Sequence, residues 1–324
     1  HYLSWMQPYE AIMTSNKASP LVNISYHDIV KECLFRYLYQ PNRLADVSIV
    51  SLWKELMLEL SVSDQQVMTE YLLNYEEHIL FDMKKVWRAM VDETNHLPIT
   101  HDVYLKVFCL SSFQWEGHWM LDEAQDWSAS FYQYFAQSSP SHIITGDPFQ
   151  RLYQFRFAQK NWDVLPSQRQ HWLTQSFRQG YGPEALVNHL LKKLHCPVIW
   201  KPVASFPCSM VHTEETTSNI QQFAPSVILA FDHERLRLFQ DQHPSVNIPM
   251  MTIHASKGLE FEKVWVCDQA LPPFVEKEQR TSLWYVATTR AQKALRLPVA
   301  LSTILPHQPS SLLSTQALDW DDDF

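Results

Sequence analysis

Two acidic residues at the end of a short apolar run have the chemistry of a metal-dependent site. The run at residues 118–121, HWML, is followed by Asp122 and Glu123 within the sequence LDEAQD. In a nucleotide-hydrolysing site, the first such carboxylate holds Mg²⁺ and the second polarises the attacking water. The same string also fits an ordinary helix start, where the helix dipole favours acidic side chains. Both interpretations stay open at this point.

A second apolar run, at residues 142–145, ends in the sequence GDPFQRLYQFR at residues 146–156. Gln150 follows the turn after this run, where an amide could sense a γ-phosphate. Tyr153 and Phe155 could form a platform for nucleic-acid bases, since each stacked base contributes roughly 1–3 kcal/mol. The alternative for both rings is a place in the hydrophobic core.

Three further segments carry basic or glycine-containing patterns. In QSFR, Arg178 could contact a γ-phosphate and Phe177 could lie on an adenine ring. In YVATTRA, Arg290 could stabilise transition-state charge as an arginine finger. The stretch TIHASKGLEF at residues 252–261 could be a ligand loop. The ordinary alternatives are solvent-exposed arginines and a plain strand-to-helix turn.

The elements that position these residues follow from hydrophobic periodicity. Helical spacing predicts mostly helices over residues 20–115. Two buried strands are expected at 118–121 and 142–145, with their acidic residues at the carboxyl ends, where open α/β sheets bind ligands. Further strands are predicted at 226–231, 250–253 and 263–267, and a helix at 281–291.

Composition restricts the class of protein. The 324 residues are enough for two compact α/β units. Neither a secretory signal nor an apolar window long enough to span a membrane is found. The five cysteines form no CxxC pair, which argues against a disulfide framework or a zinc site and fits a reducing compartment. The location we expect is intracellular: cytoplasm or nucleoid in a bacterium, nucleus in a eukaryote. The net charge of −9 requires any nucleic-acid site to be a local groove.

Taken in order, these five segments resemble motifs II to VI of the UvrD/Rep family of superfamily 1 DNA helicases. The resemblance covers roughly residues 100–300. Within that family, the F-box DNA helicase branch is the most similar in appearance, because PITHDVYLK at residues 98–106 also resembles it. Weaker matches to the earlier motifs lie at residues 15–18, SNKA, and at residues 26–27, YH.

The resemblance implies an α/β fold of two RecA-like, P-loop NTPase-type domains with parallel sheets. The first would span residues 1–170 with a helical accessory insertion at about 40–115, the second residues 171–301, and a flexible acidic tail residues 302–324. It also implies the cofactors ATP and Mg²⁺, single-stranded DNA as partner, 3′–5′ movement, and work in DNA repair or recombination.

The resemblance also implies roles for single residues. It assigns nucleotide contacts to Asp122, Arg178, Phe177, Gly258 and Glu260, with Asp122 holding Mg²⁺. It assigns catalysis to Glu123, Gln150 and Arg290. It assigns DNA contacts to Tyr153, Phe155, Arg156 and His254.

The sequence departs from the family pattern in three places. No glycine precedes Gly117, so these residues contain no GxGKT-type phosphate loop. Phe157 stands where the family usually has glycine. About 74 residues separate Arg178 from Thr252, too few for the family's large inserted subdomain.

Two explanations fit the missing loop: a truncated helicase, which we favour, or a degenerate motor that binds DNA or protein without hydrolysing ATP. In either case, we expect the 324 residues alone to hydrolyse ATP very poorly. The final residues, DWDDDF, resemble the terminal peptide of bacterial single-strand-binding proteins and suggest a protein partner. A plain solubilising tail is the alternative.

Overall fold

The computed structural model describes residues 3–15, 17–21, 24–57, 60–111, 113, 116–138, 141–152, 171–203, 205–268 and 277–298. The chain divides into two compact units, residues 1–170 and 171–324. Every strand pair in the described part is parallel, and helices accompany the strands in both units. The predicted α/β class with parallel sheets is confirmed. That the two units are motor domains stays a prediction.

The first unit begins with helices, as the periodicity predicts. After a 3-10 helix at Ser4–Ile12 come five α-helices: α1 Tyr26–Tyr39, α2 Ile49–Met57, α3 Val62–Asn74, α4 Glu76–Val91 and α5 His101–Cys109. A capping box between Ser25 and Asp28 starts α1 by satisfying free amides of its first turn.

All five helices share one hydrophobic core. This core includes Met6, Tyr9 and the buried residues of α1 together with those of α2 to α5. In the part of the chain that the structure describes, residues 40–109 therefore have no separate core of their own. A discrete accessory insertion at 40–115 remains a prediction.

A parallel strand pair follows the helices. Strand β1, His118–Leu121, pairs with β2, Ser141–Ile144, and α6, Ala129–Ser138, connects them. Both strands occur where the apolar runs predict them, but the expectation that they are buried is wrong for one face. Met120 is 80% exposed and Ile143 is 57% exposed. In the described residues, α6 packs against the other face of the β1–β2 strand pair, so the face that carries Met120 and Ile143 is left uncovered.

The second unit contains a five-stranded parallel sheet in the order β5-β9-β8-β6-β7, and a separate parallel pair, β3–β4. Its strands are β3 Gln175–Ser176, β4 Lys201–Pro202, β5 Ser209–Val211, β6 Val227–Ala230, β7 Met250–Thr252, β8 Phe261–Val266 and β9 Ala291–Arg296. Its helices are α7 Glu184–Lys193, α8 Thr217–Phe223, α9 His233–Gln242 and α10 Lys277–Thr288.

The predicted strands at 226–231, 250–253 and 263–267 are confirmed as β6, β7 and β8. The predicted helix at 281–291 corresponds to α10 but ends earlier, at Thr288, and strand β9 begins at Ala291. That strand was not predicted. In the described residues, no helix is long and apolar enough to cross a membrane.

Glycine is required where residues 180–182 approach residues 206–208. A Cβ on Gly180 would lie 2.3 Å from Phe206 O and 2.8 Å from Cys208 N. We expect Gly180→Ala to lower the free energy of unfolding by about 2–3 kcal/mol, because the two backbone segments must separate. Urea-induced unfolding of both proteins measures this difference.

Gly258→Ala is the matched control for this prediction. Gly258 has a left-handed φ of +79°, but a Cβ there would meet open space. It is expected to lose only about 1 kcal/mol, the strain of placing an L-residue in that conformation. Equal losses in the two variants would show that close packing is not what requires Gly180.

Candidate functional site

The carboxyl ends of β1 and β2 bring the predicted acidic residues to one edge of the sheet. Thr145 N donates to Leu121 O over 2.8 Å, which extends the pairing past the strand ends. Asp122 Oδ1 accepts hydrogen bonds from the Thr145 hydroxyl and from Glu123 N, the latter at 2.9 Å. Asp122 and Glu123 are both exposed. Glu123 also has a left-handed φ of 54°, a conformation that concentrates at functional sites.

A buried glutamine joins the two predicted catalytic loops. Gln125, 1% exposed, donates through Nε2 to Glu123 Oε2, and its Oε1 accepts from Asp147 N at 2.9 Å. The Asp147 carboxylate in turn accepts from Gln150 Nε2 at 2.8 Å. Glu123 and Gln150 therefore belong to one hydrogen-bond network within the first unit.

Sequence reasoning missed Gln125, Asp147 and Thr145 as parts of this network. The sequence contains one sign of a role for Gln125, which is its position inside the acidic cluster, between Glu123 and Asp126. Periodicity cannot show that its amide is buried, since that depends on the loop after β2.

The donor chemistry at this edge suits Mg²⁺. The Asp122 carboxylate and the Thr145 hydroxyl are hard oxygen donors, and Mg²⁺ is usually bound by one or two carboxylates together with waters and substrate phosphates. In the described residues, no group of three or more His, Cys, Asp or Glu side chains could hold a metal ion. That Asp122 holds Mg²⁺ stays a prediction.

A buried carboxylate holds the segment that resembles an early helicase motif. Asp82 of α4, fully buried, accepts hydrogen bonds from the amides of Thr14 (2.8 Å) and Ser15 (3.1 Å). It also accepts from the hydroxyls of Thr14 (2.8 Å) and Tyr26 (2.9 Å). Burial acts to raise the pKa of Asp82, but these four hydrogen bonds outweigh it and hold the pKa below its usual value.

In the second unit, two predicted nucleotide contacts touch each other. Arg178 Nε donates to Glu260 Oε1 over 2.7 Å, and Gln292 Nε2 donates to Glu260 Oε2 over 2.8 Å. The hydrogen bond from Arg178 is the main cause of the lowered pKa of Glu260. The neighbouring Phe177 is 75% exposed, so its ring is accessible for stacking on a flat ligand.

The predicted arginine finger is bound to main-chain and side-chain acceptors of its own unit. Arg290 is 1% exposed. Its Nε donates to Val286 O (3.0 Å), its Nη1 to Leu259 O (3.3 Å) and its Nη2 to Thr289 Oγ1 (3.2 Å). Contact with a phosphate would require Arg290 to leave at least part of this arrangement, so its catalytic role stays a prediction.

The TIHASKGLEF segment forms a compact turn between β7 and β8. Thr252 Oγ1 accepts from Ala255 N (3.1 Å), and the buried Ser256 hydroxyl donates to Ile253 O (2.7 Å). His254 is half-buried and contacts the Phe231 ring edge-on, with ring centroids 6.0 Å apart. Open space beside Gly258 leaves room for a ligand to approach.

Some of the predicted contacts lie outside the described residues. They are the predicted DNA contacts Tyr153, Phe155 and Arg156, and the tail at residues 302–324.

Comparison with protein families supplies the deciding observation for the second unit. Residues 208–302 match the model described as UvrD-like helicase C-terminal domain. Over these residues, the second unit is similar to the C-terminal domain of UvrD-like helicases. The predicted resemblance to UvrD/Rep-type superfamily 1 helicases is therefore confirmed, and the parallel sheet of this unit is of the RecA-like kind that it implies.

Curated relatives are similar to this chain over parts of its length. It is 36% identical to F-box DNA helicase 1 of Gallus gallus over 121 residues, 36% of this chain and 11% of the relative. It is 29% identical to F-box DNA helicase protein 1 of Schizosaccharomyces pombe over 185 residues, 54% of this chain and 21% of the relative. These matches confirm the predicted similarity to the F-box branch. The chain spans about a fifth or less of the length of these relatives.

Solved structures show only a partial likeness. The arterivirus nonstructural protein 10 helicase, solved in complex with DNA, is 18% identical with a TM-score of 0.40, covering 59% of this chain and 42% of that one. The PRRSV helicase is 18% identical with a TM-score of 0.39, covering 55% of this chain and 34% of that one. At these TM-scores, the likeness carries no argument about function.

Proposed function

We propose that this chain is the larger part of the motor of an ATP-dependent DNA helicase or translocase of the UvrD/Rep kind. It would act intracellularly, in DNA repair or recombination, and move 3′ to 5′ along single-stranded DNA. The phosphate-binding loop is not contained in the 324 residues, so we propose that they hydrolyse ATP poorly when alone. The acidic tail enters the proposal as a contact for a protein partner.

One observation carries this proposal: the hydrogen-bond network that joins Glu123, Gln125, Asp147 and Gln150 at the carboxyl end of a parallel strand pair. Ligand chemistry in open α/β sheets is placed at this end of the strands. In this network the buried Gln125 contacts Glu123 directly and is linked to Gln150 through Asp147, so it would hold the proposed proton acceptor and the proposed phosphate-binding amide in fixed positions. The UvrD-like match of residues 208–302 supports the same assignment.

The residues present can perform the separate tasks of nucleotide hydrolysis. Asp122 would hold Mg²⁺, which supplies neutralisation of phosphate charge when bound. Glu123, oriented by Gln125, would accept a proton from the attacking water. Gln150 would donate a hydrogen bond to a phosphate oxygen. Phe177 would stack on the nucleotide base through its exposed ring.

Single-stranded DNA is the proposed partner of the segments that resemble the DNA-contacting motifs. They include His254 and the stretch containing Tyr153, Phe155 and Arg156. Aromatic stacking and a local basic groove allow binding without base specificity. The net charge of −9 agrees with a restricted contact surface rather than a broad basic face.

Release of phosphate from ATP, with and without single-stranded DNA, tests the proposal. The 324-residue chain is expected to stay near background. The same chain extended at its N-terminus by a GxGKT-type phosphate loop is expected to hydrolyse ATP in a DNA-stimulated manner. Glu123→Gln in that longer protein should lower the stimulated rate by about a hundredfold, because the proton acceptor is lost.

Glu116→Gln is the control, since Glu116 is an exposed carboxylate before β1 and outside the network. DNA-stimulated hydrolysis by the 324 residues alone, abolished by Glu123→Gln, would contradict the need for an upstream loop. If the longer protein binds DNA but does not hydrolyse ATP, the second candidate holds: a pseudo-helicase scaffold for repair or recombination. The hydrogen bonds that hold Arg290 within its own unit favour that candidate.

A further inference from the structure

An open cavity of about 290 Å³ lies in the first unit, next to the acidic loop. Its walls are Tyr39, Asp102, Leu105, Asp126, Trp127, Ser128 and Phe131. Asp102 belongs to the THDVYLK segment, to which the proposed hydrolysis assigns no task. The volume of the cavity is close to the lower limit of the roughly 300–1,000 Å³ that is typical of ligand pockets. The cavity therefore suits one side chain rather than a large cofactor.

The lining combines negative charge with aromatic rings. Asp102 lies in the first turn of α5, and Asp126 ends the acidic cluster LDEAQD. Trp127 and Phe131 meet edge-on with ring centroids 4.8 Å apart. Two carboxylates disfavour a phosphate or a DNA strand, whereas carboxylates beside aromatic rings favour an organic cation through ion pairing and cation–π attraction.

The nearest basic residue of α5 does not neutralise this cavity. Lys106, one turn beyond Asp102, is fully buried and donates from Nζ to the carbonyls of Gln40 and Asn42, the latter at 2.9 Å. Its ammonium also lies 4.2 Å from the centre of the Tyr37 ring. The cavity lining contains no basic side chain among the described residues.

We propose that this cavity binds an arginine side chain of a partner protein. A guanidinium is planar, stacks on aromatic rings and pairs with carboxylates through several N–H groups, whereas an ammonium offers only a point charge. The site goes beyond the proposed hydrolysis but adjoins it, because Asp126 N donates to Glu123 O over 3.0 Å. An arginine seated there would therefore contact the same short turn that carries Glu123.

Nuclear magnetic resonance of the ¹⁵N-labelled chain tests this with Nα-acetyl-arginine methylamide as the probe. Twelve tryptophans give few enough indole signals to assign that of Trp127 by comparison with Trp127→Phe. We expect the arginine derivative to shift this signal with at least about tenfold higher affinity than the neutral citrulline derivative, a difference of roughly 1.4 kcal/mol. The lysine derivative should bind between the two.

Asp102→Asn is expected to lower the affinity for the arginine derivative about tenfold, since one carboxylate is lost. Asp64→Asn is the matched control: Asp64 is also an acid in the first turn of its helix, but it lies outside the cavity. Leu105→Trp, which fills the cavity without changing any charge, should abolish the shift of the Trp127 indole signal.

Three outcomes would each overturn the proposal. They are equal binding of the arginine and citrulline derivatives, no shift of the Trp127 signal with the arginine derivative, and a Trp127 shift produced by single-stranded DNA instead. Failure here leaves the ATP hydrolysis test unaffected.

Discussion

Arg296→Met is expected to lower the free energy of unfolding of the second unit by about 3–5 kcal/mol, because it leaves the mostly buried Glu215 carboxyl group and the partly exposed Asp268 without their cation. Arg296 is fully buried at the end of β9. Its Nη1 and Nη2 each lie 2.7 Å from an oxygen of Asp268. Thr213 O accepts from Nη2 at 2.8 Å, and the guanidinium carbon lies 4.4 Å from the centre of the Trp265 ring.

The loss should depend on pH because a second carboxyl group faces Arg296. Glu215 Oε2 lies 3.5 Å from Arg296 Nη1 and accepts from Trp265 Nε1 at 3.1 Å. Burial raises the pKa of Glu215 in spite of these contacts, and removal of the cation raises it further. A carboxyl group with a raised folded pKa stabilises the protein below its unfolded pKa, and this contribution is lost as the pH rises. The variant should therefore be closest to the wild type in mild acid and weakest near neutral pH.

Urea unfolding at several pH values measures this effect, with Lys293→Met as the control. Lys293 lies on the same strand and pairs with Glu262 of β8, but both side chains are more than half exposed. An exposed pair of this kind contributes little to stability. If Arg296→Met and Lys293→Met lower the free energy of unfolding equally, the contacts of the buried Arg296 do not stabilise the sheet.

The helices and several strands of this chain could be predicted because their signals are local. Apolar spacing marks α1, and the continuous apolar segment of β6 is buried along its whole length. The exposure of Met120 and Ile143 could not be predicted, since it depends on which elements cover the second face of the strand pair. Strand β9 was missed because its sequence, AQKALR, places a lysine and an arginine in a strand whose partner is set by tertiary pairing.

The site could be predicted to the extent that its residues fall in recognisable motifs. Asp122, Glu123 and Gln150 lie at the strand ends where the pattern predicts them, and Arg178 and Glu260 prove to be in contact. The residues that hold these groups in place were not predictable. Gln125 and Asp82 are polar side chains of types that are usually exposed, and their partners are set by the folded chain. For Asp82, those partners lie 56 to 68 positions earlier in sequence.

Asp82→Ala is expected to lower the free energy of unfolding by about 3–5 kcal/mol, because three groups lose a charged acceptor in a buried place. These groups are Thr14, Ser15 and the Tyr26 hydroxyl. The loss should depend on pH in the same direction as that of Arg296→Met, largest near neutral pH and smallest in acid, but the change should occur at lower pH. Because the folded pKa of Asp82 is held below its ordinary value of 3.8, its contribution is present above that value and is lost as the pH falls through the folded pKa. Urea unfolding of both proteins, measured from neutral pH down to acid below pH 3.8, tests this dependence.

Asp92→Ala is a close control for Asp82→Ala. Asp92 also accepts hydrogen bonds from the amide and hydroxyl of one threonine, Thr94, but it is exposed at the end of α4. Its loss should be much smaller, since water replaces the missing acceptor. Because Asp82 reaches from α4 to Thr14 and to Ser15, the first residue of the SNKA sequence, its removal should also release that segment. Faster amide hydrogen exchange at Ser15 in Asp82→Ala, but not in Asp92→Ala, is the expected sign. Unchanged exchange would mean that the hydrophobic core alone holds the segment, and that α4 does not organise the motif it touches.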